Sequence, residues 1–155
     1  AVSLALAPLS FGPIQIRIAE AMTLLPILFP EAIAGVTLGC FLTNLIGAIL
    51  GVNLLGFFDV FAGTLATFLA AMLTWRCRKL CVKGVPLVSA LMPVLFNAVI
   101  IGAELAYVLY PTALLTGFVI NALEVGFGEL VACFILGLPL VKALDKAQLA
   151  KRFGL

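Results

Sequence analysis

The chain has 155 residues, 65% of them hydrophobic and 10% charged, with a mean hydropathy of +1.30 and a net charge of +2. No water-exposed surface can be built from that composition, which excludes a soluble domain and points to an integral membrane protein. The apolar runs are continuous, not alternating with polar residues as lumen-facing strands require, so helices are expected rather than a barrel. The charge is too small to suggest nucleic acid.

The basic residues orient the segments. Arg76, Arg78, Lys79 and Lys83 form one cluster, Lys142, Lys146, Lys151 and Arg152 another, and Arg17 stands alone. The positive-inside rule puts both clusters in the cytoplasm. Working backwards, residues 1–8 end an outward-going helix. At about 12 Å they are too short to span a bilayer core of about 30 Å, so the first helix is expected to be truncated in this numbering. Residues 15–29 then run inward, 30–51 outward, 57–78 inward, 86–110 outward and 112–141 inward. The expectation is one all-α transmembrane domain over 1–155, a six-helix bundle with both termini cytoplasmic.

Segment 15–29 is short and contains Pro26; such interrupted segments are where transporters build sites, because their backbone is freed to face a cavity. Pro30 and Glu31 suit the first turn of the next helix, where a missing N–H is harmless and a carboxylate meets the positive end of the dipole. That helix carries Gly35, Gly39, Thr43, Gly47 and Gly51, a stripe of small residues that favours close packing within the protein over a partner-helix surface. Gly63, Thr67 and Ala71 repeat the pattern on 57–78.

Polar residues inside these segments are the candidates for function, since an unpaired charge near the bilayer centre costs at least ~3 kcal/mol. Gln15, Arg17 and Glu20 cluster at the outer end of the short segment. Asn97 and Glu104 share one stripe of 86–110, and Asn121 and Glu124 one face of 112–141. Counted along their segments, Asn44, Glu104, Asn121 and Glu124 fall in the outer half of the membrane, beneath the loop with Gln15 and Arg17. A few polar groups in apolar walls describe a small-molecule pocket. Most have a plainer alternative: Arg17 and Glu20 pairing with each other, Asp59 as a helix-start carboxylate, Glu129 capping a buried network, and the asparagines joining helices. Glu104 and Glu124 are harder to dismiss, because Arg17, the one outer basic residue, does not neutralise every carboxylate.

No histidine is present, no G-x-x-x-x-G-K-[ST] phosphate loop and no G-x-S-x-G elbow, so neither an enzyme nor a cofactor is expected. Cys77 and Cys81 share a helix face, but two thiols do not make a four-ligand metal site. With Cys40 and Cys133 they are expected to stay reduced.

The run Ala7-Pro8-Leu9-Ser10-Phe11-Gly12-Pro13-Ile14-Gln15-Ile16-Arg17, followed by Glu20 and Leu24-Leu25-Pro26, resembles the QueT family of queuosine-precursor transporters. Pro30-Glu31-Ala32-Ile33, Phe58-Asp59-Val60, Leu95-Phe96-Asn97-Ala98, Gly128-Glu129-Leu130 and Leu138-Pro139-Leu140 agree with it. The resemblance implies a substrate-binding S-component of an energy-coupling factor transporter in the plasma membrane of a bacterium. Its implied partners are a transmembrane coupling protein and two cytoplasmic ATPases. The implied ligands are 7-aminomethyl- or 7-cyano-7-deazaguanine, or queuine. Gln15, Arg17, Glu20, Asn44, Asn97, Glu104, Asn121 and Glu124 are then the expected ligand-binding residues. Small residues on the first helix, by which such components dock, are reduced here to Ala1 and Ala5. The alternatives are a free-standing proton- or sodium-coupled carrier of a small cationic or nucleobase-like solute, and a structural subunit whose polar residues only hold helices together.

Overall fold

Each long helix starts and stops where the backbone chemistry dictates. The computed structural model describes residues 18–53 and 55–147. Within them lie a 3-10 helix at Ile18–Ile27, then α1 (Ala32–Ile49), α2 (Phe57–Arg76), α3 (Leu87–Leu109) and α4 (Leu114–Leu130). A π-helical stretch, Val131–Gly137, continues α4 into α5 (Leu138–Lys146). Four runs are long and apolar enough to cross a membrane: Ala32–Ile49, Phe57–Arg76, Leu87–Leu109 and the 33 residues Leu114–Lys146. Three of them match the expected segments closely. The fourth runs five residues past its expected end at 141, giving about 50 Å of helix, so one end projects beyond a ~30 Å hydrocarbon core.

The segment expected as a helix over 15–29 is a 3-10 helix from Ile18. Ten residues at about 2.0 Å each reach only about 20 Å, less than a span. Pro26 has no N–H to give to the carbonyl four residues back, which removes one α-helical bond from an already short element. The expected helix over 1–8, the loop 9–15 with Gln15, and Arg17 lie outside the described residues, as does the tail from 148.

The ends of α1 to α3 follow from local rules. At the end of α1, Gly51 adopts φ 68°, the Gly51 amide donates to Ala48 at 3.2 Å, and the Val52 amide donates to Gly47 at 3.0 Å. This is a Schellman cap, which needs a residue that tolerates the left-handed region. Glu31 occupies the N-cap of α1 without a side-chain capping bond. Between α2 and α3 the chain reverses through a Val82–Val85 bridge, with Lys83 and Gly84 both at positive φ as a primed turn requires. Inside α3, Pro93 leaves the Ser89 carbonyl without its helical donor. The Thr74 hydroxyl on α2 donates to that carbonyl at 3.1 Å and ties the two helices together.

Two apolar clusters hold the bundle. Near the basic end, Leu24 of the 3-10 helix packs with Ala90, Val94, Cys133 and Val141. A Cβ on Gly137 would stand 2.8 Å from Leu24 Cδ1 and 3.2 Å from the Ala21 carbonyl, so glycine there lets the 3-10 helix press onto the π-helical stretch. Toward the other end, Leu55, Ala66, Ile101, Leu105 and Val125 join α2, α3 and α4. The small-residue stripe of α1 divides. Gly47 is buried, but Gly35 and Gly39 are exposed with no described atom near the Cβ position. Among the described residues, close packing around this glycine stripe is found at Gly47, in the half nearest Gly51.

Candidate functional site

Two separate clusters of buried polar side chains stand within the bundle. The first closes the α1–α2 connection. Asn44 Nδ2 donates to the Asp59 carbonyl at 2.9 Å and approaches Cys40 Sγ at 3.5 Å. Asn53 Nδ2 donates to Asp59 Oδ2 at 2.9 Å, while its Oδ1 accepts from the Leu55 amide at 3.1 Å. Asn44, Asn53 and Asp59 are all buried, Asp59 completely. Gly63, one turn after Asp59, makes room for them: a Cβ there would fall 2.5 Å from Asp59 Oδ1 and 2.6 Å from Asn44 Nδ2. The partners are near neighbours in sequence on one helix–loop–helix unit, and the bonds fix that unit's geometry.

The second, called the mid-membrane cluster because Asn97 stands midway along the candidate span Leu87–Leu109, joins elements far apart in the chain. Asn97 is about 15 Å along α3 from its basic end. Asn97 Nδ2 donates to Glu129 Oε1 on α4 at 2.9 Å. The Cys133 thiol, one turn further on, faces Glu129 Oε2 at 3.9 Å. Glu20, on the 3-10 helix, and Glu129 are both near enough to act electrostatically on that thiol, and Thr23 stands beside it. Thr23 itself donates to the Glu20 carbonyl, closing the turn that presents the carboxylate. Glu20, Thr23, Asn97, Glu129 and Cys133 are all buried. Two carboxylates, an amide and a thiol therefore share an interior walled by Leu24, Ala90 and Val94.

The expected site residues distribute as follows. Asn97 and Glu20 belong to the mid-membrane cluster, and Asn44 to the α1–α2 lock. Asn121 is buried but donates to the Gly117 carbonyl of its own helix at 2.7 Å. Glu104 is half-buried, with both carboxylate oxygens out of contact with solvent, and Glu124 is half-buried at the edge of the α4 inner face. Gln15 and Arg17 lie outside the described residues. Glu129, Thr23 and Cys133 were not among the expected ligand residues. A signal for Glu129 exists in the sequence: measured along their antiparallel segments it stands at nearly the same depth as Asn97, so the two can meet across the α3–α4 interface.

Among the described residues, no group of three or more His, Cys, Asp or Glu is arranged to hold a metal ion. The arrangement instead suits hydrogen-bond donors. Carboxylate oxygens accept, the Asn97 amide both donates and accepts, and the low local dielectric strengthens each such bond. A family model described as QueT transporter matches residues 1–146. No curated protein and no solved structure matches the chain.

Proposed function

The chain belongs to the QueT transporter family, and from that premise we propose that it is the substrate-binding S-component of an energy-coupling factor transporter, taking up a queuosine precursor. In this reading the chain is a six-helix, multi-pass protein of a bacterial plasma membrane, with both termini in the cytoplasm. It captures 7-aminomethyl- or 7-cyano-7-deazaguanine, or queuine, from outside. A transmembrane coupling protein and two cytoplasmic ATPases supply the energy, which suits a chain with no phosphate-binding loop of its own.

The observation that carries the reading is the buried Asn97–Glu129 hydrogen bond, with the Cys133 thiol beside Glu129 and a second buried carboxylate, Glu20, near that thiol. The guanine edge of a deazapurine offers adjacent N–H donors, which one carboxylate accepts in parallel. A second carboxylate pairs with the ammonium of the aminomethyl form, and the Asn97 amide serves the base's carbonyl. Glu129 and Glu20 take the carboxylate roles; Glu104, Asn121 and Glu124, with Gln15 and Arg17 from the sequence, are further candidate ligand contacts. Asn44 holds the α1–α2 lock and does not touch the ligand.

Calorimetry on the detergent-purified chain with the two precursor bases and queuine tests this. Saturable heat without ATP is expected for at least one of them, and uptake into liposomes only when the coupling protein and ATPases are present. No heat with any of the three would sink the proposal.

A further inference from the structure

At the basic end of the bundle, residues 77–86 reverse the chain between α2 and α3 with apolar and cationic side chains interleaved. Leu80 and Val82 are about half exposed, at 56% and 50%, and Val85 is exposed to 38%. Arg76, Lys79 and Lys83 are exposed beside them, with Lys83 at the tip of the turn. Arg78 stacks over the Trp75 ring, 4.6 Å from its centroid, and Nη1 donates to the Trp75 carbonyl at 2.9 Å. A guanidinium carries five N–H donors, so this anchored side chain keeps others for an outside acceptor.

The end of α5 adds exposed Lys142 and Lys146. It lies at the same end of the molecule, because Val141 packs in one cluster with Ala90 at the start of α3. Against these six cations the described residues at this end set two carboxylates, Glu31 and Asp145. Between Asp59 and Glu104 the sequence holds no acidic residue.

Exposed leucine and valine are unfavourable in bulk water, and lysine is unfavourable in hydrocarbon. Interleaved within ten residues, they fit one environment: the headgroup layer of a bilayer that carries negative charge. Trp75 stands at the same level, as interfacial aromatic residues do. We propose that the 77–86 hairpin and the end of α5 form a docking surface for anionic phospholipid headgroups in the leaflet at the basic end. Arg78, Lys79 and Lys83 face the phosphates, and Leu80, Val82 and Val85 enter the boundary with the acyl chains. The surface is separate from the mid-membrane cluster, so its existence does not depend on ligand capture.

Trp75 is the single tryptophan of the chain and reports on this surface alone. The full chain is reconstituted in vesicles in which a fixed fraction of either phosphatidylglycerol or phosphatidylcholine is brominated on its acyl chains. Brominated phosphatidylglycerol is expected to be enriched around Trp75 by roughly three-fold or more, read from fluorescence quenching. That preference should fall toward parity at high salt in the native chain, and in the double variant Lys79→Gln, Lys83→Gln at low salt. Lys79→Arg with Lys83→Arg should retain it. Equal quenching by the two lipids in the native chain overturns the proposal, and this is also the outcome if the surface serves a protein partner instead. A preference indifferent to salt and to both glutamines overturns it as well.

Discussion

The α1–α2 lock and the mid-membrane cluster are built from the same side chains, a carboxylate with asparagine donors, yet they are assembled in different ways. In the lock, Asp59 accepts from Asn53 six residues away and gives its backbone carbonyl to Asn44 fifteen residues away. Those contacts form whenever the two helices pair, and they fill the space that Gly63 leaves. In the mid-membrane cluster, Asn97 and Glu129 are thirty-two residues apart, and Glu20 arrives on a separate element. A polar group in a membrane protein is therefore no sign of a ligand by itself. What separates the two clusters is whether the partners belong to one local unit or converge from several.

The sharpest way to break this contrast is to crowd the lock. Gly63→Val puts a branched side chain where Asp59 and Asn44 already stand, and should cost about 3 kcal/mol through overpacking and a disrupted buried carboxylate. Thermal unfolding in detergent measures it. A fully stable variant would show that the lock yields, and would remove its structural role.

Next come the two carboxylates compared directly. Glu129→Gln keeps an acceptor for Asn97 Nδ2 but removes the charge offered to a donor-rich ligand. Affinity should fall by roughly a hundred-fold, about 2.7 kcal/mol, with little change in melting temperature. Asp59→Ala should do the reverse, costing about 2 kcal/mol of stability by stranding the Asn53 amide while the remaining folded protein binds normally. Parallel calorimetry and unfolding on both variants decide the matter; if both lose affinity equally, the two clusters are one site.

Smaller effects sharpen the role of local geometry. Gly51→Ala forces a Cβ into the left-handed region at the Schellman cap and should cost about 1 kcal/mol, again without touching affinity. Thr74→Val removes the donor to the Ser89 carbonyl and should cost about 0.6 kcal/mol. Pro93→Ala restores a helical donor to that carbonyl, so in its background the threonine substitution should cost less. A double-mutant cycle in thermal unfolding measures the coupling.

Much of the architecture was legible in the chain because a membrane leaves few choices. Long apolar runs between Gly, Pro and charged residues become helices, since every backbone polar group must be satisfied within the segment. The segments near 32–49, 57–76 and 87–109 follow directly. The first departure is at 18–27, where a short segment with Pro26 takes the narrower 3-10 form. The second is past Leu130, where the helix widens into a π stretch and continues to Lys146. Hydropathy does not distinguish these forms, because both conceal their backbone as an α-helix does.

The candidate site was legible by residue type and only partly by partner. Asn97, Glu104, Asn121 and Glu20 stand out because polar groups in an apolar run need an account, but their spacing along one helix says nothing of the rotation of the next. Asn44 looked like a pocket residue by depth, and the packing of α1 on α2 placed it against Asp59. Glu129 was read as capping a buried network with no partner named, and the α3–α4 interface brought it to Asn97.

Composition and charge pattern alone determined that this is a multi-pass helical membrane protein with a basic end, because solvation in lipid acts on each segment independently. The motifs of the first third carried its family. Only the tertiary structure decided which polar residues meet, since that depends on helix rotation and close approach, set by contacts such as Gly63 on Asp59 and Gly137 on Leu24. Those are properties of pairs of segments, and no single segment encodes them.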